Sequence, residues 1–209
     1  MARERATSVQ ELVDAAARVF ERKGFVNATI SDVAAEAGVS KPTVYQYVES
    51  KSWLLETIVE QVIYPLRHNI EEILSSDASA RSKLESYLRV QVKSAIRYRT
   101  YIVVLTTDQR QLSPQALRNY QSWARDVNRA AAGLLRQCAE EGVVRADLDV
   151  GTMVNLIHGM TLSVSRWYDP LGRLKPDEIL DEVMGLLSGY VQPESESESA
   201  QRRAPASAD

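Results

Sequence analysis

Between residues 40 and 51 the chain reads SKPTVYQYVESK. Thr43, Tyr45 and Gln46 place a hydroxyl, an aromatic ring and an amide within four residues, a set that can touch base edges and thymine methyls in a major groove. Lys41 and Lys51 flank them as point charges suited to phosphate, and Thr29 and Tyr47 fit as phosphate clamps. Ser40 can cap a helix that starts here, with Pro42 in its first turn, where a missing N–H costs nothing. The free N–H groups of that turn favour an anion. Spacing alone leaves Tyr45 equally suited to a small hydrophobic core.

These side chains need elements to hold them. Leu12, Ala15, Ala16, Val19 and Phe20 recur at helical spacing, with Ser8 as a cap and Gly24 as a stop. Thr29 can cap a second helix whose apolar face is Ile30, Val33, Ala34 and Ala37, ended by Gly38. Two short helices separated by Gly-Val-Ser make a helix-turn-helix. A long fourth helix starts near Ser50, and Pro65 is expected to kink it. Further helical patterns cover RSKLESYLRVQVKSAIRYR, a short run around YIVVLTTDQR, a long run from Ser113 and Pro114 to near Gly142, Val150 to Tyr168, and Pro176 to Val191. No segment alternates like a strand, so the expected fold is all-α with about nine helices. Residues 1–50 read as a three-helix DNA-binding domain, 51–192 as a helical ligand-binding and dimerisation domain, and 193–209 as a disordered tail rich in Ser, Glu, Ala and Pro.

Composition removes several classes. The chain has 209 residues, 44% hydrophobic and 25% charged, which suits a packed globular fold. Cys138 is the single cysteine, so no internal disulfide can form. No run approaches the roughly 18 apolar residues of a membrane span, and the expected location is cytoplasmic. A nucleophile elbow, a P-loop, a dinucleotide fingerprint and a His-Glu-x-x-His run are all missing, and His68 and His158 lie far apart. Neither an enzyme nor a metal or cofactor site is expected. Net charge is −3, and the first 52 residues balance seven cations against seven acids. DNA binding must therefore rest on where charges sit, which disfavours an architectural protein that coats DNA through a basic excess.

The larger half mixes aromatics and cations into apolar helices. Tyr98, Tyr101, Arg110, Tyr120, Trp123, His158, Arg166 and Trp167 are the candidate lining of a pocket for a large amphipathic ligand. Taken singly, either tryptophan suits a core, Arg110 a surface, and Arg166 an ion pair with Asp169 or Asp177. In the last helix Ile179, Val183, Leu186 and Tyr190 form one apolar stripe, with Leu180, Met184, Leu187 and Val191 beside it. That width exceeds a simple core face. A homodimer interface is expected from Leu180, Val183, Met184, Leu187 and Val191 with Met153, Leu156, Ile157 and Met160 of the preceding helix, burial within one subunit being the alternative.

The run TISDVAAEAGVSKPTVYQYVESKSWLL resembles the N-terminal domain of tetracycline-repressor-like (TetR family) bacterial transcriptional regulators. Ala-Gly-Val-Ser stands at the turn, Thr-x-Tyr on the recognition helix, and Ser-Lys before the fourth helix; Val48 replaces the usual phenylalanine. RADLDVGTMVNLIHGMTLSVSRWYDPLGRLKPDEI is similar to the C-terminal region of TetR-type repressors of lipid and sterol catabolism that respond to CoA thioesters. In the sterol-side-chain branch an arginine stands at the place of His158 and a tryptophan at that of Leu162, which adds Leu162 to the candidate ligand contacts. The resemblance implies a homodimeric repressor on a palindromic operator, released by a hydrophobic effector such as an acyl-CoA thioester. On that reading Arg166 would hydrogen-bond the carbonyl or phosphate portion of the effector.

Overall fold

The computed structural model describes residues 7–147 and 149–187. Among them the regular elements are nine α-helices and one 3-10 turn: α1 (Val9–Lys23), α2 (Ile30–Ala37), α3 (Lys41–Tyr47), α4 (Lys51–Ser75), α5 (Ala80–Arg97), α6 (Arg99–Asp108), the 3-10 turn at Gln109–Gln111, α7 (Pro114–Glu140), α8 (Val150–Trp167) and α9 (Pro176–Leu187). The fold is all-α, as the patterns imply. The tail at 193–209, and with it Val191, lies outside the described residues.

Local chemistry sets the boundaries. Ser8 and Glu11 cap α1 reciprocally, and Thr29 and Asp32 do the same for α2, so two orphan N–H groups are satisfied at each start. Gly38 ends α2 at φ 70° and ψ 31°, a left-handed conformation that costs a side-chain-bearing residue and suits glycine. Ser40 caps α3 with Pro42 in its first turn. Pro65 lies inside α4 without ending it. Only Tyr98 separates α5 from α6. Its N–H donates to the Ser94 carbonyl at 2.9 Å and its own carbonyl accepts from Ile102 at 2.8 Å, which makes a tight corner.

Two cores result. The first joins Leu12, Val19, Phe20, Val33 and Val44 to Leu54, Leu55 and Ile58 of α4, and continues into Val104 and Leu105 of α6. The second takes Val62, Leu66 and Ile70 further along α4 and packs them with α5, α7, α8 and α9. At 1.5 Å per residue, the 25 residues of α4 make a rod about 37 Å long shared by both cores.

Candidate nucleic-acid interface and effector cavity

On α3 the side chains divide sharply. Lys41, Pro42, Tyr45, Gln46 and Tyr47 are exposed, as is Ser40 before them, while Val44 and Val48 are buried. Tyr45 is 52% exposed, which resolves its ambiguity in favour of the surface. Lys41 has no carboxylate partner among the described residues, so its charge is uncompensated.

Three sequence assignments need correction here. Thr43 is only 7% exposed, and its hydroxyl lies 2.6 Å from Ser40 Oγ, which also accepts its N–H; it supports the cap and does not face outward. Thr29 gives its hydroxyl proton to Asp32 Oδ2 at 2.8 Å and accepts the Asp32 N–H at 3.1 Å, so its hydroxyl is committed to the capping box. Lys51 turns inward. Its ammonium donates to the carbonyls of Phe25 and Ala28 at 2.8 Å and of Val26 at 3.3 Å, 4.4 Å from the Phe25 ring centroid. An ammonium has three protons and all three are used, so Lys51 locks the α1–α2 loop onto α4 and none remains for phosphate.

Ion pairs fix the rest of this unit. Glu36 of α2 accepts from Arg18 and Arg22 of α1 at 2.7 and 3.0 Å, which holds its pKa below the usual carboxylate value. Asp32 accepts from Lys23 at 2.6 Å and from Thr29, and the Lys23 hydrogen bond is the largest cause of lowering its pKa to about 2. Exposed pairs of this kind stabilise little individually, but here they fix the angle at which α2 meets α1.

A cavity of about 200 Å³ opens among α4, α5, α6, α7 and α8. Tyr120, Trp123, His158 and Leu162 border it, as expected from the sequence. The other expected lining residues do not. Tyr101 turns away to α1, where its hydroxyl bonds the Asp14 carboxylate and accepts from Gln10 at 3.0 Å, and Tyr98 sits at the α5–α6 corner; both line a polar cleft against α1. Burial, reinforced by Asp14, raises the Tyr101 pKa. Arg110 is exposed in the 3-10 turn. Arg166 and Trp167 lie on the outer side of α8, four residues beyond Leu162 and Ser163. The ion-pair alternatives for Arg166 also fail, because Asp169 accepts from the Leu171 N–H and Asp177 faces Arg89 and Lys93.

The cavity has polar features that the sequence reading did not single out. Gln91 donates to the Tyr87 hydroxyl at 2.8 Å, and that hydroxyl lies within hydrogen-bond distance of His158 Nε2. Tyr87 is buried, which pushes its pKa up to about 12, so it keeps its proton. With Gln91 donating to it, His158 Nε2 is the acceptor within reach of that proton, and a buried hydroxyl left without one would cost about 1–3 kcal/mol. Nε2 is therefore bare and the imidazole proton sits on Nδ1. Burial also lowers the His158 pKa, keeping the ring neutral. Tyr87 and Gln91 are four apart on α5, so the available signal was a polar pair at helical spacing beside the apolar Leu84, Leu88 and Val92.

α6 stands between cavity and DNA-binding unit. Ile102, Leu105 and Thr106 border the cavity. From the same helix, Arg99 donates to Glu21 at 3.0 Å, Tyr101 bonds Asp14, and the buried carboxylate of Asp108 accepts the Phe25 N–H at 3.1 Å. Ten residues thus touch the ligand space on one side and hold α1 and its loop on the other.

The expected dimer face also divides. Met153, Ile157, Leu180, Val183 and Leu187 are buried within the second core of their own chain, so these five assignments are corrected: they hold α8 and α9 to the subunit. Leu156 is 58% and Leu186 69% exposed, with Gly159 and Trp167 also outward, and Met160 and Met184 lie at the boundary. Outward apolar residues therefore stand on both α8 and α9, and of the expected set Leu156 is among them. Leu186, which the sequence places in the first of the two apolar stripes of the last helix, also belongs to them.

Among the described residues no helix is long and apolar enough to cross a membrane, and no group of three or more His, Cys, Asp or Glu side chains can hold a metal. Residues 12–58 match the family "Bacterial regulatory proteins, tetR family", and residues 77–191 match "Tetracyclin repressor-like, C-terminal domain". The chain is 23% identical over 185 residues to the HTH-type transcriptional repressor KstR2 of Mycobacterium tuberculosis, covering 88% of this chain and 92% of that one. It is 22% identical over 158 residues to the fatty acid metabolism regulator protein of Bacillus subtilis, covering 75% and 81%. The structure of the ketosteroid transcriptional regulator KstR2 of Mycobacterium tuberculosis superposes with a TM-score of 0.83 at 22% identity, over 93% of this chain and 100% of that one. AibR in complex with isovaleryl coenzyme A and operator DNA gives 0.73 at 18% identity, over 85% and 96%. With both halves matched, the chain belongs to the TetR family of bacterial transcriptional regulators, DNA-binding proteins that act as ligand-responsive homodimers and not as enzymes.

Proposed function

We propose that the protein is a cytoplasmic repressor that binds a palindromic operator as a homodimer and leaves it when an acyl-CoA thioester enters the α4–α8 cavity. Each protomer offers the exposed face of α3 to a major groove, with Gln46 and Tyr45 toward base edges and Ser40, Lys41, Pro42 and Tyr47 toward the backbone. The outward strip of Leu156, Gly159, Trp167 and Leu186 pairs with its copy, so the two reading faces are held at a fixed spacing.

The observation that carries this reading is the double role of α6. A ligand pressing on Ile102, Leu105 and Thr106 moves a helix whose Arg99, Tyr101 and Asp108 are bonded to the DNA-binding unit. A coupling free energy of about 1–3 kcal/mol changes operator affinity by about 5- to 150-fold. The cavity volume of about 200 Å³ falls below the roughly 300–1,000 Å³ of sites that enclose a whole small molecule. It suits the apolar end of an effector, with the CoA portion outside. The isovaleryl coenzyme A bound by AibR and the fatty acid role in the name of the Bacillus relative support the thioester class.

DNase footprinting of the purified dimer should give a discrete protected palindrome that octanoyl-CoA removes and CoA alone does not. Continuous coating would point to an architectural role, and protection that no thioester from four to sixteen carbons shifts would remove acyl-CoA as the effector.

A further inference from the structure

Every residue bordering the cavity lacks a permanent charge. No cation borders it: Lys93 and Arg97 of α5, Arg125 and Arg129 of α7, and Arg166 of α8 are exposed, and Arg99 of α6 pairs with Glu21. Two of the bordering hydroxyls are already used, since Thr106 and Thr161 donate back to the Ile102 and Ile157 carbonyls at 2.9 Å each. Three ring donors have no hydrogen-bond partner among the described residues: Tyr120 Oη, the buried Trp123 Nε1–H, and the Nδ1–H that the Gln91–Tyr87–His158 chain leaves on His158.

We propose that this cavity selects an apolar ligand carrying a neutral hydrogen-bond acceptor, a carbonyl of the ketone or thioester class, through His158 Nδ1 and Tyr120 Oη, and that it refuses free carboxylates. The inference rests on the cavity being the effector site. A carboxylate brought into this lining would lose its water and meet no cation, a cost that neutral donors alone do not offset. A carbonyl oxygen carries no charge to desolvate and has two lone pairs, so one donor or both can serve it. The hydrogen bond from Tyr87 fixes the imidazole ring and its tautomer, so the Nδ1 proton is presented before the ligand arrives. For a regulator of acyl metabolism the consequence is specific. It would respond to the activated acyl group and stay silent to the unactivated acid of the same chain length.

Three probes of matched length test this on the full-length dimer at pH 7.5: 2-octanone and octanoate by calorimetry, and octane by headspace partitioning. Wild type is expected to bind 2-octanone at least tenfold more tightly than octanoate. His158→Leu and Tyr120→Phe are each expected to weaken 2-octanone at least threefold while leaving octane unchanged. Equal or tighter binding of octanoate by wild type overturns the selectivity, and so does 2-octanone affinity that neither variant changes. Those results leave the cavity as the effector site. Ala124 of α7 also borders the cavity; if none of the three binds, or if filling the space with Ala124→Leu leaves all three affinities as they were, the cavity is not the site and both readings fall. The wild-type comparison needs no variant, so it stands even where one fails to fold.

Discussion

In the DNA-binding unit the polar groups that join its helices are committed to partners within the chain. Lys51 gives its three protons to three carbonyls, Thr29 and Ser8 close capping boxes, Thr43 and Ser40 bond each other, and Glu36 holds two arginines. In the ligand-binding half a cavity remains, bordered by a phenol, an indole N–H and an imidazole N–H that have no partner among the described residues. The contrast separates two tasks. A body that must keep α3 at one angle gains from having no alternative partners, because each alternative is a second conformation. A body that must respond to a ligand needs unfilled space and unpaired donors, since a ligand can shift an equilibrium only by contacts one state lacks. α6 belongs to both, with cavity-facing and α1-bonded side chains on the same ten residues.

The largest effect should come from confusing the two faces of α9. Leu187 is 8% exposed and sits in the second core, so Leu187→Glu should cost roughly 4 kcal/mol or more and unfold that half. Leu186→Glu, one residue away on the outward strip, should leave far-UV circular dichroism unchanged while sedimentation shows monomers. If both variants unfold, the strip is part of the core; if both remain dimeric, the interface lies elsewhere.

Next is Lys51→Met, which keeps the aliphatic stem and strands three carbonyls. A loss of about 3 kcal/mol is expected from charge-assisted bonds of this kind, seen as a lower denaturation midpoint. Operator sequence preference should stay the same, because the Lys51 ammonium is spent on the Phe25, Val26 and Ala28 carbonyls. A change in base preference without loss of stability would show that the ammonium leaves its carbonyls when DNA binds. Gln46→Ala should act the other way, costing operator affinity about 1–3 kcal/mol at one base position with stability within error. A smaller stability change, within about 1 kcal/mol, is expected for Ala124→Leu, since the added methyl groups enter existing space. Its operator affinity should equal wild type while octanoyl-CoA no longer releases it.

Much of this was legible in the sequence for a physical reason. Helix boundaries followed from caps at Ser8, Thr29, Ser40 and Ser113 and from the glycines at 24 and 38, all decided within four or five residues. The helix-turn-helix was legible for the same reason. Side-chain direction was harder. Lys41 and Lys51 look alike as cations flanking a recognition helix, yet one faces water and the other three carbonyls contributed by residues 25 to 28, a contact set by tertiary packing. Arg166 looked like a sensor because its neighbours are apolar, but α8 is apolar on two sides, one toward its own core and one outward. Tyr87 and Gln91 escaped notice because nothing in α5 alone shows that His158, 71 residues later, meets them.

The smallest effect concerns acid, and it places His158 and Asp32 in different pH windows. Burial lowers the pKa of His158 below the ordinary 6.5. The unfolded chain then binds a proton that the folded chain resists, so stability present above pH 6.5 is lost as pH falls below it. Asp32 has its pKa lowered from 3.8 to about 2 by Lys23 and Thr29. Its contribution is complete above about pH 4 and is lost as pH falls from there toward 2. Glu36 shifts in the same direction, so the DNA-binding unit should weaken only in this lower window. Urea unfolding at closely spaced pH values separates the two. His158→Leu should flatten the fall that begins near 6.5 and leave the lower limb intact, while Asp32→Asn should flatten part of the lower limb and leave the upper one. Between pH 8 and 5, where the carboxylate is ionised and its contribution complete, Asp32→Asn should lower stability by a constant amount; no loss there would show that its pairing with Lys23 does not support the fold through charge. If His158→Leu left the upper window unchanged, the imidazole would not be held neutral by the cavity wall, and the tautomer deduced from its bond to Tyr87 would fall with it.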